Sequence, residues 1–225
     1  MKNTPYIFFI LLVACDNLSA QVVNELSPMT KMDMAQGILY EANIRQYSKE
    51  GTFDAFAKDL PKLQEMGVNI LWLMPINPLS TAKSKGPLGS YYAVADYTGV
   101  NPEFGTLDDL KNLVTQAHDL GIYVILDWVP GHTGWDNHWI KDHPEYYLQN
   151  EAGEIIDPIN PFTGESFGWT DVADLNYNNI DMRQAMREAM LYWVKEVNID
   201  GYRIDKANDF PLNFLYILPG NLLLP

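Results

Sequence analysis

Arg203 and Asp205 stand two residues apart at the end of Asp200-Gly201-Tyr202-Arg203-Ile204-Asp205. On an extended strand alternate side chains share a face, so a guanidinium and a carboxylate at this spacing lie side by side. The Arg can hold the Asp ionised and aimed, as a nucleophilic or electrostatic carboxylate requires. The same pair also fits an ordinary ion pair at a strand end. A second segment repeats the arrangement: Ile122-Tyr123-Val124-Ile125-Leu126-Asp127 is an apolar run that stops at an Asp, with His132 five residues on. Both read as buried parallel strands whose C-terminal ends carry polar groups. In an α/β barrel that end gathers the catalytic residues.

The elements that must position these groups follow in a regular order. Residues 38–42 read as a first strand, and 53–66 as a helix turning Phe53, Phe56, Leu60, Leu63 and Met66 toward the sheet, with Pro61 able to kink it. Residues 69–74 form a second strand stopped by Pro75. Thr106 caps a helix over 107–120 with Leu107, Leu110, Val114 and Ala117 on one face, and Gly121 ends it. The third strand is 122–127. Asp181 opens a helix over 182–197, and the fourth strand is 201–205. Strands alternating with helices in this way predict a parallel α/β sheet or barrel.

Residues 133–177 break the rhythm. They carry Trp135, Trp139 and Trp169 among turn signals such as Asn160-Pro161-Phe162-Thr163-Gly164. Indole faces suit the apolar faces of sugar rings, so Trp135 and Trp169 are candidate binding platforms; they equally fit anchors of a small satellite core. A loop this long inside a compact domain is commonly functional or disordered.

Four ordered stretches resemble the α-amylase family of glycoside hydrolases. Asp127-Trp128-Val129-Pro130-Gly131-His132 is similar to its Asp-x-Val-x-Asn-His motif, with Gly131 for Asn. Gly201-Tyr202-Arg203-Ile204-Asp205 is similar to its nucleophile motif Gly-Phe-Arg-x-Asp. Tyr92-Ala93-Val94-Ala95-Asp96-Tyr97, followed by Pro102-Glu103-Phe104-Gly105-Thr106, resembles a Tyr-x-x-x-Asp-Tyr loop and a Pro-x-Phe-Gly-Thr helix start. Asp174-Leu175-Asn176 resembles the element ahead of the nucleophile strand.

The resemblance implies a retaining glycosidase acting on α-1,4-linked glucans or maltooligosaccharides. It makes Asp205 the nucleophile, with Arg203 keeping it ionised and Asp127 holding Arg203. His132 would bond sugar hydroxyls, Tyr92 would stack under the same sugar, and Trp135 and Trp169 would line the substrate site. The alternative is a non-catalytic glucan-binding or scaffold protein of the same fold. The family's Asn commonly ligates a structural Ca²⁺, but Gly131 offers no side-chain oxygen, which leaves Asp174 as a lone donor and no metal site predicted.

A complete barrel takes about 250 residues. The expected architecture is therefore a partial (β/α)8 TIM barrel of about four βα units: residues 30–132 as its first part, 133–177 as an inserted irregular subdomain and 178–210 as its continuation. No stretch matches the family's general-acid motif, and residues 211–225 carry no charge. The chain reads as the front of an enzyme, truncated before the acid and inactive alone.

Residues 1–20 read as an export signal, with Lys2 ahead of the apolar run at residues 6–14. Leu12-Val13-Ala14-Cys15 resembles a bacterial lipoprotein signal, which would make Cys15, the only Cys, a lipid anchor in the envelope or periplasm. Cleavage after Ala20 is the alternative and gives a secreted protein. A net charge of −14 argues against a nucleic-acid partner, which calls for clustered Lys and Arg.

Overall fold

The computed structural model describes residues 26–160, 162–207 and 214 of the 225. The signal at 1–20 with Cys15, and the tail at 211–225 apart from Phe214, lie outside the described residues. The elements in chain order are α1 (Lys31–Gln36), β1 (Ile38–Ala42), α2 (Ile44–Tyr47), α3 (Phe53–Ala57), α4 (Leu60–Glu65) and β2 (Val68–Leu73). These are followed by α5 (Leu107–Asp119), β3 (Tyr123–Trp128), β4 (His132–Gly134), α6 (His138–Asp142), β5 (Val172–Asp174), α7 (Ile180–Val197) and β6 (Gly201–Ile204). Strands β1, β2, β3 and β6 form one four-stranded sheet in that order, parallel throughout. This is the α/β fold expected from the alternating pattern.

Register decides what each face carries. Leu73, Leu126 and Tyr202 stand abreast, as do Trp72, Ile125 and Gly201, and Asp127 pairs with Arg203. One face therefore holds Leu71, Leu73, Val124, Leu126 and Tyr202. These pack into a core with Phe53 and Phe56 of α3, Leu60 and Leu63 of α4, Leu110 and Val114 of α5, and Trp193 of α7. The opposite face carries Trp72, Asp127 and Arg203. Burying an apolar face against helices is the main driving force here.

Several boundaries differ from expectation. The segment 53–66 is two helices: Thr52 caps α3, and α4 starts afresh after Lys58 and Asp59, with Pro61 in its first turn. Proline is tolerated there because its missing N–H would be unpaired anyway. The restart changes the helical phase, so Met66 is exposed rather than turned to the sheet. Helix α5 has the expected Thr106 cap, reinforced by Asp109 in a reciprocal capping box. Leu107 is only partly buried, and Leu113 completes the apolar stripe instead. Helix α7 is opened by Asn179, whose side chain accepts from the Met182 N–H; Asp181 lies inside its first turn.

Between β3 and α7 the chain forms a small structure of its own. Strands β4 and β5 pair antiparallel, and the single bridges Tyr147–Leu175, Gln149–Ile155 and Ile159–Ser166 join the turns between them. Gly134 in β4 sits so close to Ser80 that an added Cβ would meet Ser80 Cβ at 2.1 Å. That contact seals β4 against the loop following β2.

Candidate active site

The C-terminal ends of β3 and β6 bring three charged groups together. Arg203 Nη1 donates to Asp127 Oδ1 at 3.0 Å and Oδ2 at 3.2 Å, and to Asp205 Oδ1 at 2.9 Å. One guanidinium nitrogen thus links both carboxylates. The Asp205 N–H donates to the Trp128 carbonyl at 2.8 Å, which ties the turn after β6 to the end of β3. Among the described residues Oδ2 of Asp205 has no hydrogen bond, leaving that oxygen for a ligand.

Asp127 is almost inaccessible, at 2% exposure. It accepts from three side chains: Arg203, the Tyr92 hydroxyl at 3.2 Å and the Trp72 indole N–H at 3.2 Å. Burial nevertheless pushes its carboxyl up to about 6, against the pull of Arg203. It is therefore ionised at neutral pH and takes a proton just below it. Burial works against the Arg203 charge, but Asp127 and Asp205 more than offset it and hold the guanidinium protonated. Burial first, then the Asp127 and Asp205 charges, raise the Tyr92 phenol, which stays a donor.

His132 begins β4, and its turn is fixed from below. The Tyr97 hydroxyl reaches both the Val129 carbonyl, at 2.7 Å, and the His132 carbonyl, at 2.9 Å. The imidazole is buried, and burial lowers its pKa to about 4 although Asp205 and a hydrogen bond to the Tyr92 backbone pull the other way. In the neutral ring one nitrogen donates and the other accepts, so with the N–H on the Tyr92 backbone the other nitrogen is an acceptor.

A cleft of about 250 Å³ opens beside these groups, and His132, Asp205, Ile159, Phe167, Trp169 and Asp174 are among the residues that line it. The Phe167 and Trp169 rings lie 4.6 Å apart with planes within 19°. The Lys206 ammonium sits 3.5 Å from the Trp169 centroid and 4.7 Å from that of Phe167. The Trp169 platform is thus partly covered by a cation. Trp135 lies outside the cleft lining: its ring carries the Lys83 ammonium at 3.2 Å, and its N–H donates to the Thr170 carbonyl at 3.0 Å. Lys85 bonds the Gly168 carbonyl at 2.8 Å and pairs with Asp171 at 3.1 Å, clamping the same stretch.

The structure thus joins Asp127, Arg203, Asp205 and Tyr92 directly, sets His132 and Trp169 on the cleft with Asp205, and leaves Trp135 to one side. Trp72 and Lys206 lie outside the motifs, and Tyr97 stands in the Tyr-x-x-x-Asp-Tyr loop without its role at His132 being readable there. For Trp72 a signal existed, since it sits at the end of an apolar strand just before Pro75. The resemblance to Ca²⁺-binding enzymes does not extend to the donor set. A Cβ on Gly131 would meet nothing within 4 Å, Asp174 already accepts from the Ile159 N–H, and no cluster of three or more acidic, His or Cys ligands occurs among the described residues.

A parallel α/β sheet with an Asp–Arg–Asp assembly at its strand ends and a cleft walled by a subdomain after the third strand defines a barrel-type enzyme scaffold. The family model "Alpha amylase, catalytic domain" matches residues 41–213, and the chain belongs to the alpha-amylase family. An alpha-glucosidase from Apis mellifera is 31% identical over 183 residues, 69% of this chain and 31% of that protein. A trehalose synthase from Pimelobacter sp. (strain R48) is 30% identical over 213 residues, 81% of this chain and 35% of that protein. The crystal structure of an alpha-amylase from Lactobacillus plantarum superposes with a TM-score of 0.73 at 40% identity, covering 79% of this chain and 40% of that one. The chain spans about a third of the length of the curated relatives it matches.

Proposed function

We propose that the protein containing these residues hydrolyses α-glucosidic bonds in α-1,4-linked glucans or maltooligosaccharides with retention of anomeric configuration. The observation that carries this reading is the Asp127–Arg203–Asp205 chain opening on the cleft that His132 also lines. Oδ2 of Asp205 attacks the anomeric carbon as the bond to the leaving oxygen breaks; that oxygen takes a proton from a carboxylic acid. Water then cleaves the glycosyl ester, giving its proton to the same group. Arg203 keeps Asp205 anionic for the attack, and neutral His132 bonds a sugar hydroxyl as charge develops at the ring. Tyr92 bonds Asp127 through its hydroxyl, which leaves its ring to pack under the sugar.

Retaining enzymes hold nucleophile and acid about 5–5.5 Å apart. No stretch of this sequence resembles the family's acid motif, so these 225 residues alone are expected not to turn over glucan. The test assays the 225-residue chain and its longer parent protein on maltooligosaccharides and follows the product anomer by NMR. The longer protein should retain configuration and lose activity with Asp205→Asn. Inversion, or turnover by the short chain, would overturn the assignment.

Export with a lipid on Cys15 is part of the same reading, resting on the Leu12-Val13-Ala14-Cys15 pattern. Expression in a lipoprotein-processing bacterium with labelled palmitate should label the protein, and Cys15→Ala should abolish the label. A soluble, unlabelled product would instead support cleavage after Ala20.

A further inference from the structure

Trp72 belongs to none of the motifs and has no part in the bond-breaking steps, yet it touches both groups that fix Asp205. It lies on the inner face of β2, abreast of Ile125 and Gly201 and two residues short of the level of Asp127 and Arg203. Its indole N–H donates to Asp127 Oδ2 at 3.2 Å. Its ring carries the Arg203 guanidinium, with Cζ 4.8 Å from the centroid.

The two contacts act differently. The N–H satisfies an oxygen of a buried carboxylate, where a missing donor leaves charge uncompensated. The ring face gives the planar guanidinium a surface to lie on, restricting its tilt. Tilt matters because Nη1 alone makes the bonds to Asp127 and to Asp205. A small rotation of Arg203 therefore displaces Oδ1 of Asp205. We infer that Trp72 is a positioning residue, whose indole N–H and ring together lock the Asp127–Arg203 pair and so aim the Asp205 carboxylate. The inference rests on the reading of Asp205 as nucleophile.

Two substitutions separate the contacts. Trp72→Phe keeps a ring and removes the N–H; Trp72→Gln keeps a donor and removes the ring. Misaligning the attack should act on kcat more than on KM, because Trp72 is not among the residues lining the cleft. In the longer parent protein each variant should lose roughly 10–100-fold in kcat on maltotriose, with KM changed by less than about threefold. Trp72→Phe should also move the acid limb of the pH profile upward, since Asp127, already lifted to about 6 by burial, loses a donor to its charged form. Arg203, Asp205 and Tyr92 are the other titratable groups facing Asp127. An unchanged kcat in Trp72→Phe, or a rise in KM alone, would overturn the proposal.

A measurement on the 225-residue chain itself requires no turnover. With ¹⁵N-labelled tryptophan, the Trp72 indole resonance, one of six, should move as Asp127 titrates near pH 6. It should stay still in Asp127→Asn. A static resonance in the folded chain would overturn the contact itself. A responsive resonance in a parent protein that hydrolyses nothing would overturn the nucleophile reading, and the aiming role with it.

Discussion

Asp205 and Trp169 border the same cleft, yet they are held there by opposite means. Asp205 follows a strand whose register against β3 is fixed over consecutive residues, and Arg203, Asp127 and Trp72 form a bonded chain behind it. Trp169 lies in a loop held by Lys206 over its ring, by Lys85 on Gly168 and Asp171, and by the Trp135 N–H on the Thr170 carbonyl. Lys85 is half exposed. The catalytic side is thus preorganised by buried bonds, which geometry fixes tightly. The Trp169 stretch rests in part on charge contacts such as the half-exposed Lys85–Asp171 pair, which is worth little and screened by salt. The proposed reaction would then fall to the rigid side, and adjustment to a bound sugar to the soft one.

The largest expected effect breaks the rigid side. Asp127→Ala leaves Arg203, the Tyr92 hydroxyl and the Trp72 N–H without their shared acceptor. Removing one partner of a buried ion pair costs about 3–5 kcal/mol. Arg203 keeps some solvent contact and Asp205, so about 3 kcal/mol is expected from urea unfolding, and a loss below about 1 would contradict the rigid-side account. Next comes Tyr97→Phe, which strips the hydroxyl from two buried carbonyls. Roughly 1–3 kcal/mol should be lost, together with a shift of the His132 backbone amide in NMR spectra.

A pH series sharpens the comparison between strand and turn. The folded pKa of His132 lies near 4, below its ordinary value, so its contribution to stability is present above about 6.5 and fades as pH falls through 4. Asp127 is displaced the other way, to about 6; its contribution is present below about 4 and fades as pH rises through 6. Between these limits the two slopes oppose each other. His132→Gln should therefore make stability fall with rising pH, relative to the parent, by about 1 kcal/mol per unit between pH 4 and 6. Urea midpoints at each pH measure it; identical curves for parent and variant would show that His132 titrates normally.

The smallest effect falls on the soft wall. Lys85→Met removes a partly exposed ion pair and should cost only about 0.2–1 kcal/mol. Its signature is local: faster proteolysis within residues 150–170, with the sheet unaffected. Global destabilisation instead would show that the wall is part of the rigid unit.

What could be read in the sequence divides along the same line. Residues 122–127 and 201–205 announce themselves because a buried parallel strand must be apolar until it emerges, and the charge at its end then stands out. Asp127, Arg203 and Asp205 were legible for that reason, and the structure joins them. The helix pair at 53–66 looks like one helix in the sequence because apolar spacing runs on across Lys58 and Asp59, where the backbone restarts. Strands β4 and β5 span three residues each, too few for a period of two to register. Lys206 over Trp169 joins positions far apart in the chain through loop geometry, and no local pattern encodes it.

Tyr97 gives the molecule an order of assembly. Its hydroxyl shapes the His132 turn, while its own carbonyl accepts from the Trp193 indole, 96 residues later in the chain. As the polypeptide leaves the ribosome, β1, β2 and β3 emerge with the raw material of their core. The histidine turn receives its full scaffold only once α7 has followed and delivered Trp193. Contacts so distant in sequence form late, after the loops between them have closed. A nascent chain halted before α7 therefore holds β1, β2 and β3 without a set cleft, because the Tyr97 carbonyl still lacks the Trp193 indole.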